Sequence, residues 1–331
     1  MRKPVSVVLV FLGGFLLALG ALAAFYAPDK VKRTPLDVHS VTRLSGEASL
    51  AAGTSMEKTP VKASSTNLSD TSKSDDDVIV FNNASCLVKD PDGSAPDCVS
   101  ADDTQNRLIT VSTSTFATDR RTGLAVMDAK YVPAGSEPMT GLVNKFPFDV
   151  EQKTYPFWDG TAKKAVDAVY AGEATVQGLP TYKFTTSVTD APIEITAGTP
   201  GTYTDEKTMF VDPGTGSIID QTEHQVRKMA DSGNTVLDLQ FAFTPATVKA
   251  NVDAANENNS KLSLLTKTVP LIGFIGGAAA LLAGLLLYRR QGEAVATSTR
   301  SRSTQRRSDE GLDALGLGGD EDRRARDKAT T

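Results

Sequence analysis

Residues 235–243 read TVLDLQFAF, and the order of apolar and polar side chains in that stretch decides the fold class. Leu237, Leu239, Phe241 and Phe243 alternate with Asp238, Gln240 and Ala242. A period of two puts the apolar set on one face and the polar set on the other, the mark of a half-buried antiparallel strand. Toward the N-terminus, similar runs occur at Ser217–Arg227, Thr208–Val211, Thr181–Val188, Glu173–Val176, Leu124–Asp128, Leu108–Phe116 and Val78–Phe81. Turn residues separate them, notably Gln177-Gly178-Leu179-Pro180 and Asp212-Pro213-Gly214-Thr215-Gly216. Short strands joined by tight turns pair as meanders, not as βαβ units. Asp37–Leu44 alternates weakly, and Glu47–Asp77 reads as loop or edge strand. Asp75-Asp76-Asp77 lacks the alternating oxygen ligands of a calcium loop and reads as a solvated turn.

Beyond the strand, Thr244-Pro245 supplies an N-cap and a proline at the first helical position. Val248, Val252 and Ala255 recur at helical spacing, and Asn256–Ser260 weakens the run. This predicts a stalk helix over 245–268, with an interruption possible in its second half. Residues 269–288, VPLIGFIGGAAALLAGLLLY, carry no charge and are long enough to cross a membrane. Arg289 and Arg290 follow at once, which places that end in the cytoplasm. Residues 5–26, VSVVLVFLGGFLLALGALAAFY, are a second such run behind Arg2 and Lys3, so the N-terminus is cytoplasmic too. A cleaved signal peptide ending near Ala21-Leu22-Ala23 is the rival reading. The apolar run is longer than such segments need, and an uncleaved anchor is preferred. Gly273 and Gly277 form a GxxxG pair, and Gly276, Ala280 and Gly284 a second small-residue row. Both suit close helix packing, against the first span or another membrane protein.

The expected layout is a cytoplasmic stub (1–4), a transmembrane helix (5–26), an extracytoplasmic β domain (27–244), the stalk (245–268), a second transmembrane helix (269–288) and a cytoplasmic tail (289–331). The fold class is a membrane-anchored, mainly β protein whose antiparallel sheet is sandwich-like or curved. The tail is rich in Arg, Ser, Thr and acidic residues and cannot bury enough apolar surface to fold. Only Leu312, Leu315 and Leu317 could dock there, and Ser308 after Arg306-Arg307 is a candidate phosphorylation site. Residues 27–268 carry 23 Lys/Arg and 32 Asp/Glu, net −9, which argues against nucleic acid as a partner. Cys86 and Cys98 are the only cysteines and flank a Pro-Asp-Gly turn. In an oxidising compartment they are expected to form a disulfide.

Catalytic signatures are scarce. Two histidines occur, His39 and His224, and neither sits in a recognisable motif. No phosphate loop, GxGxxG or HExxH is present, so no cofactor or metal is expected and the chain reads as a non-enzyme. The most distinctive stretch is Lys145–Asp159, KFPFDVEQKTYPFWD. It gathers Phe146, Phe148, Tyr155, Phe157 and Trp158, five of the 21 aromatic residues, within 13 positions. Such a cluster is either hydrophobic core or the wall of a groove for an acyl chain.

The glycine-rich first span, KFPFDVEQKTYPFWDG, the Gly178–Phe184 strand, Phe210–Gly216 and the second span together resemble the actinobacterial "PorA family", a domain of unknown function. The resemblance covers most of residues 1–290. It implies an envelope membrane protein, some relatives of which are linked to traffic of envelope glycolipids. It carries over no catalytic residues. Porin activity is not expected, because spanning barrels use strands and here apolar helices span. The expected function is a non-enzymatic plasma-membrane protein whose β domain binds an envelope lipid or glycolipid, or a lipid-transport partner. The alternative is a structural or signalling scaffold of the envelope.

Overall fold

A computed structural model describes residues 2–53 and 55–289. The tail readings at Ser308, Leu312, Leu315 and Leu317 lie outside them. The chain divides into two compact units, residues 1–28 with 264–331, and residues 29–263.

The second unit holds ten strands: β1 (His39–Ala52), β2 (Ser55–Ser69), β3 (Val78–Lys89), β4 (Leu108–Asp119), β5 (Tyr155–Asp159), β6 (Lys164–Val176), β7 (Leu179–Thr196), β8 (Thr199–Val211), β9 (Ile218–Met229) and β10 (Thr235–Phe243). They form one antiparallel sheet in the order β4-β3-β2-β1-β10-β9-β8-β7-β6-β5. Two meanders therefore meet where the first strand pairs with the last, Ala48 opposite Leu239. The sheet is curled rather than sandwiched. At one end its outer strands are joined by isolated bridges that run from Thr118 through Ala125, Leu124 and Leu142 to Phe157. Hydrogen bonds from Val126 N to Ala117 O (2.8 Å) and from Trp158 N to Leu142 O (2.7 Å) hold that closure. The strand expected at Leu124–Asp128 is only this bridge.

The registers give every strand an inner face. On it, Ala48, Val61, Leu87, Leu237 and Leu239 form one cluster. Leu142, Phe146, Tyr155, Phe157, Phe184, Met209 and Val211 form another. The segment read as loop or edge supplies all of β2 and the end of β1, both interior strands of the sheet. The Asp75–Asp77 turn is solvated but tied: Asp75 accepts from Lys130 Nζ (2.6 Å) and Tyr131 Oη (2.8 Å), and the Arg120 guanidinium donates to the Asp75 and Asp76 carbonyls. The Lys130 and Tyr131 donors, Lys130 first, hold the Asp75 carboxyl well below its usual range.

Helix α1 (Arg2–Phe25) is followed by the short α2 (Ala27–Val31), and α3 (Pro245–Ser263) follows β10. Thr244 caps α3 as expected, its Oγ1 accepting from Thr247 N at 3.2 Å. α3 runs unbroken through Asn256–Ser260, and it is not a free stalk. Val248, Val252 and Ala255 pack on Leu179 and Ile219 of the sheet. Asn251 and Asn259, polar residues that blur the helical pattern, are docking residues. Asn251 donates to the Ile218 and Ile219 carbonyls, and Asn259 to Asp212 Oδ1 at 2.9 Å. Residues Leu264–Thr268 then widen to a π-turn and the helix resumes over 269–289.

Within the first unit, α1 and residues 269–289 pack antiparallel through small residues. A Cβ added at Gly273 would lie 2.7 Å from Gly20 Cα, one at Gly277 2.9 Å from Gly13 O, and one at Gly284 3.1 Å from Ser6 O. Backbones approach this closely only where side chains are missing. The packing partner is the first span, and the seam is Gly273, Gly277 and Gly284. Gly276 and Ala280 lie beside it, half-exposed. Pro4–Phe25 and Pro245–Arg289 are the two helices long and apolar enough to cross a membrane among the described residues.

Cys86 and Cys98 are disulfide-bonded with Cα atoms 5.5 Å apart. The turn between them closes on Asp90, whose Oδ1 accepts from Ala95 N at 2.8 Å. Thiol labelling of the native, unreduced protein is expected to leave both cysteines unmodified. The Cys86→Ser/Cys98→Ser variant is expected to lose about 3 kcal/mol in a denaturation experiment, the chain-entropy value for so short a loop. Ready labelling of both would show an unlinked pair.

Candidate functional site

The aromatic stretch resolves mostly as core, and the candidate groove residues line neither of two cavities on the sheet. Phe146, Tyr155, Phe157 and Trp158 are buried. Phe146 packs on Phe184 (centroids 4.5 Å), Phe157 (5.6 Å) and Tyr155 (5.6 Å), while Trp158 joins Ile79, Phe81 and Phe116. Phe148 is half-buried under the Lys145 ammonium, 3.8 Å from its ring centre. Burial pulls that ammonium down to about 7, with only Asp212 opposing. The groove reading of Phe146, Phe148, Tyr155, Phe157 and Trp158 is therefore corrected: Phe146, Tyr155 and Phe157 fill one core cluster and Trp158 another, while Phe148 is half-buried beside Lys145.

What holds the stretch is the turn after β8. Phe146 N donates to Gly216 O (2.8 Å), Asp149 N to Gly214 O (3.2 Å) and Val150 N to Pro213 O (2.8 Å). Asp212 Oδ2 accepts from Thr215 N and Oγ1, shaping the turn, while Oδ1 receives Asn259 of α3. Sequence reading singled out both the stretch and the turn, and the structure clasps them together.

The larger cavity, about 1080 Å³, lies along the polar outer face of β6–β10 and β1. Strand register builds it: Val169, Thr185, Thr208, Thr222, Ala242 and Ser45 stand opposite one another in one transverse row. Ser187, Glu206, His224, Gln240 and Glu47 form the next. Six strands at about 4.8 Å spacing give a trough about 24 Å long. His224 Nε2 lies 2.9 Å from Asp238 Oδ1. The lining offers hydroxyls, an amide and charges of both signs beside an apolar wall that includes Val166, Val169 and Phe241. Such a mixed surface can hold a polar ligand by hydrogen bonds.

Directly behind the trough, on the inner face of the same strands, sits a buried charged cluster that sequence reading missed. Lys207 Nζ is 3.3 Å from Glu223 Oε2 and 3.9 Å from Asp205 Oδ2. Tyr203 donates to Asp159 Oδ2 at 3.3 Å, Gln225 to Glu223 Oε1 at 2.9 Å, and Arg227 to Gln225 Oε1 at 2.9 Å. Asp205 is fully buried, and neither of its carboxylate oxygens has a hydrogen-bond donor. Burial is the main cause that pushes Asp205 up to about 7; Glu223 and Asp159 add to it and Lys207 opposes. For Lys207, burial is outweighed by Glu223, Asp205 and Asp159, which hold it charged. Three acids and two bases leave the cluster one negative charge over. Its signal in the sequence was faint: Asp205, Lys207, Glu223 and Arg227 sit at alternate, inward positions where apolar residues are expected.

No curated protein matches the chain. The family model described as Porin PorA matches residues 5–286, which takes in the whole sheet and nearly all of both candidate spans. The chain belongs to the Porin PorA family, as a membrane-associated, β-rich protein.

Proposed function

We propose that this is a non-enzymatic protein of the cell envelope whose trough holds the polar head group of an envelope lipid or glycolipid. In this reading two helices cross the plasma membrane, both termini are cytoplasmic, and the β domain is extracytoplasmic. The observation that carries it is the trough, about 1080 Å³ of hydroxyl, amide and mixed-charge surface on a chain that also bears two candidate spans. The disulfide favours an oxidising compartment. The family's description names a porin. A barrel that spans lipid needs an apolar band on its outer face, and the outer positions of β7–β10 here include Lys183, Thr185, Ser187, Glu206, Thr222, His224 and Gln240. The buried aromatic rings favour a head group over an acyl chain as the part that is held.

The test is mass spectrometry of lipids that co-purify with the full-length protein and with Thr208→Trp, which fills the middle of the trough from an outward position. The parent is expected to retain a defined lipid class, and the variant to lose most of it with its melting temperature nearly unchanged. A parent that carries only bulk lipid, or a variant that retains the same class, would sink the reading.

A further inference from the structure

The curled sheet closes at one end only, and the other half of β4 is left as an edge. Ala117 O accepts from Val126 N on the outer side of the strand. Alternate residues of a strand direct their N–H and C=O to the same side. Val111, Thr113 and Thr115 therefore present their backbone groups outward as well, where no strand pairs with them among the described residues. Residues 110–113 are exposed in succession, Val111 by 56%.

An edge of this kind is usually blunted by lysine, proline or an inward charge. Thr110–Thr115, TVSTST, has none of these, although residues 27–268 around it carry a net charge of −9. An uncharged edge meets its own copy without like-charge repulsion, as the acidic surface around it would not. Two-fold symmetry makes antiparallel edge pairing self-complementary.

We propose that β4 pairs with β4 of a second copy of this chain, with the two-fold axis at Thr113. Thr113 then faces Thr113, and Val111 faces Thr115 in both directions. Six backbone hydrogen bonds form, and the two sheets become one of twenty strands. An interface of six residues a side is small, so it forms where copies are concentrated, as in a membrane.

Directly opposed residues in a hydrogen-bonded antiparallel pair have Cα atoms about 5.5 Å apart, within disulfide reach. The experiment uses the full chain in its membrane. Thr113→Cys is oxidised mildly beside Ser232→Cys, a control in the exposed β9–β10 turn. The expected result is a disulfide-linked dimer of twice the chain mass for Thr113→Cys and little for the control. Adding Val111→Lys, which puts two lysines near the axis, is expected to cut the cross-link roughly tenfold. Unchanged melting of each variant shows that the fold survives. Cross-linking at Thr113 no greater than at Ser232, insensitivity to Val111→Lys, or an adduct of any other mass overturns the proposal.

Discussion

Gly216→Ala is expected to cost the strand domain as much as removing a large core side chain. Gly216 has φ +74°, in the left-handed region where an L side chain is strained. The added Cβ would also lie 2.1 Å from Phe146 O and 2.3 Å from Pro147 O. Both neighbours are backbone, so no side chain can swing aside. The turn must move off the aromatic stretch and lose the hydrogen bonds from Phe146, Asp149 and Val150. Phe146, fully buried among Phe184, Phe157 and Tyr155, then loses its packing. The expected loss is about 3–5 kcal/mol, the range for truncating a buried phenylalanine. At about 2–4 °C per kcal/mol for a domain of this size, that lowers the melting temperature by roughly 6–20 °C. Gly198→Ala is the control. It shares the positive φ, +77°, but its Cβ would meet nothing within 4 Å. It should lose only about 1 kcal/mol. If the two variants melt together, conformational strain and not the clasp is the whole effect.

The elements with clean periodicity were legible. β10 occupies Thr235–Phe243, the Thr244 cap starts α3, and the second span packs through the glycines of its GxxxG pair. Two kinds of position hid the rest. In β1 and β2 the inner face carries small residues, Ala48 and Ala63, so the contrast with the polar outer face is weak and the strands look like loop. In β8 and β9 the inner face carries Asp205, Lys207, Glu223 and Arg227, so a buried row reads as a solvated one. The aromatic stretch announced itself, but composition cannot separate a wall from a filling; that depends on Phe184 and Met209, which arrive from β7 and β8. The trough is legible in no single segment, because six strands share its lining, five residues from β6 and two or three from each of the others, and register alone aligns them.

The buried row makes stability depend on pH in a direction opposite to that of most acidic proteins. Asp205 is held near 7 in the fold against an ordinary value near 4. Between those values the folded chain keeps a proton that the unfolded chain has released. The stability from this group is therefore fully present below about pH 4, falls as pH rises toward 7, and is gone above it. The drop is at most about 4 kcal/mol, from 1.36 kcal/mol for each tenfold difference in proton affinity. Paired surface carboxylates such as Asp75 and Asp103, held below their usual range, act oppositely and at lower pH. Asp205→Asn keeps the shape and removes the titration. The variant is expected to be more stable than the parent at pH 8, by about 2 kcal/mol or more, and to show a flatter profile from pH 5 to 8 in denaturant titrations. The competing effect is loss of a partner for Lys207. Removing one member of a buried ion pair strands the other, but Glu223 at 3.3 Å remains the nearer carboxylate. If Asp205→Asn is instead less stable than the parent at pH 8, the ionised Asp205 is a net stabilising counter-ion for Lys207, and burial does not hold its proton on up to pH 7. The cluster would then carry its extra negative charge, and the two orphaned oxygens would need a donor from outside the chain.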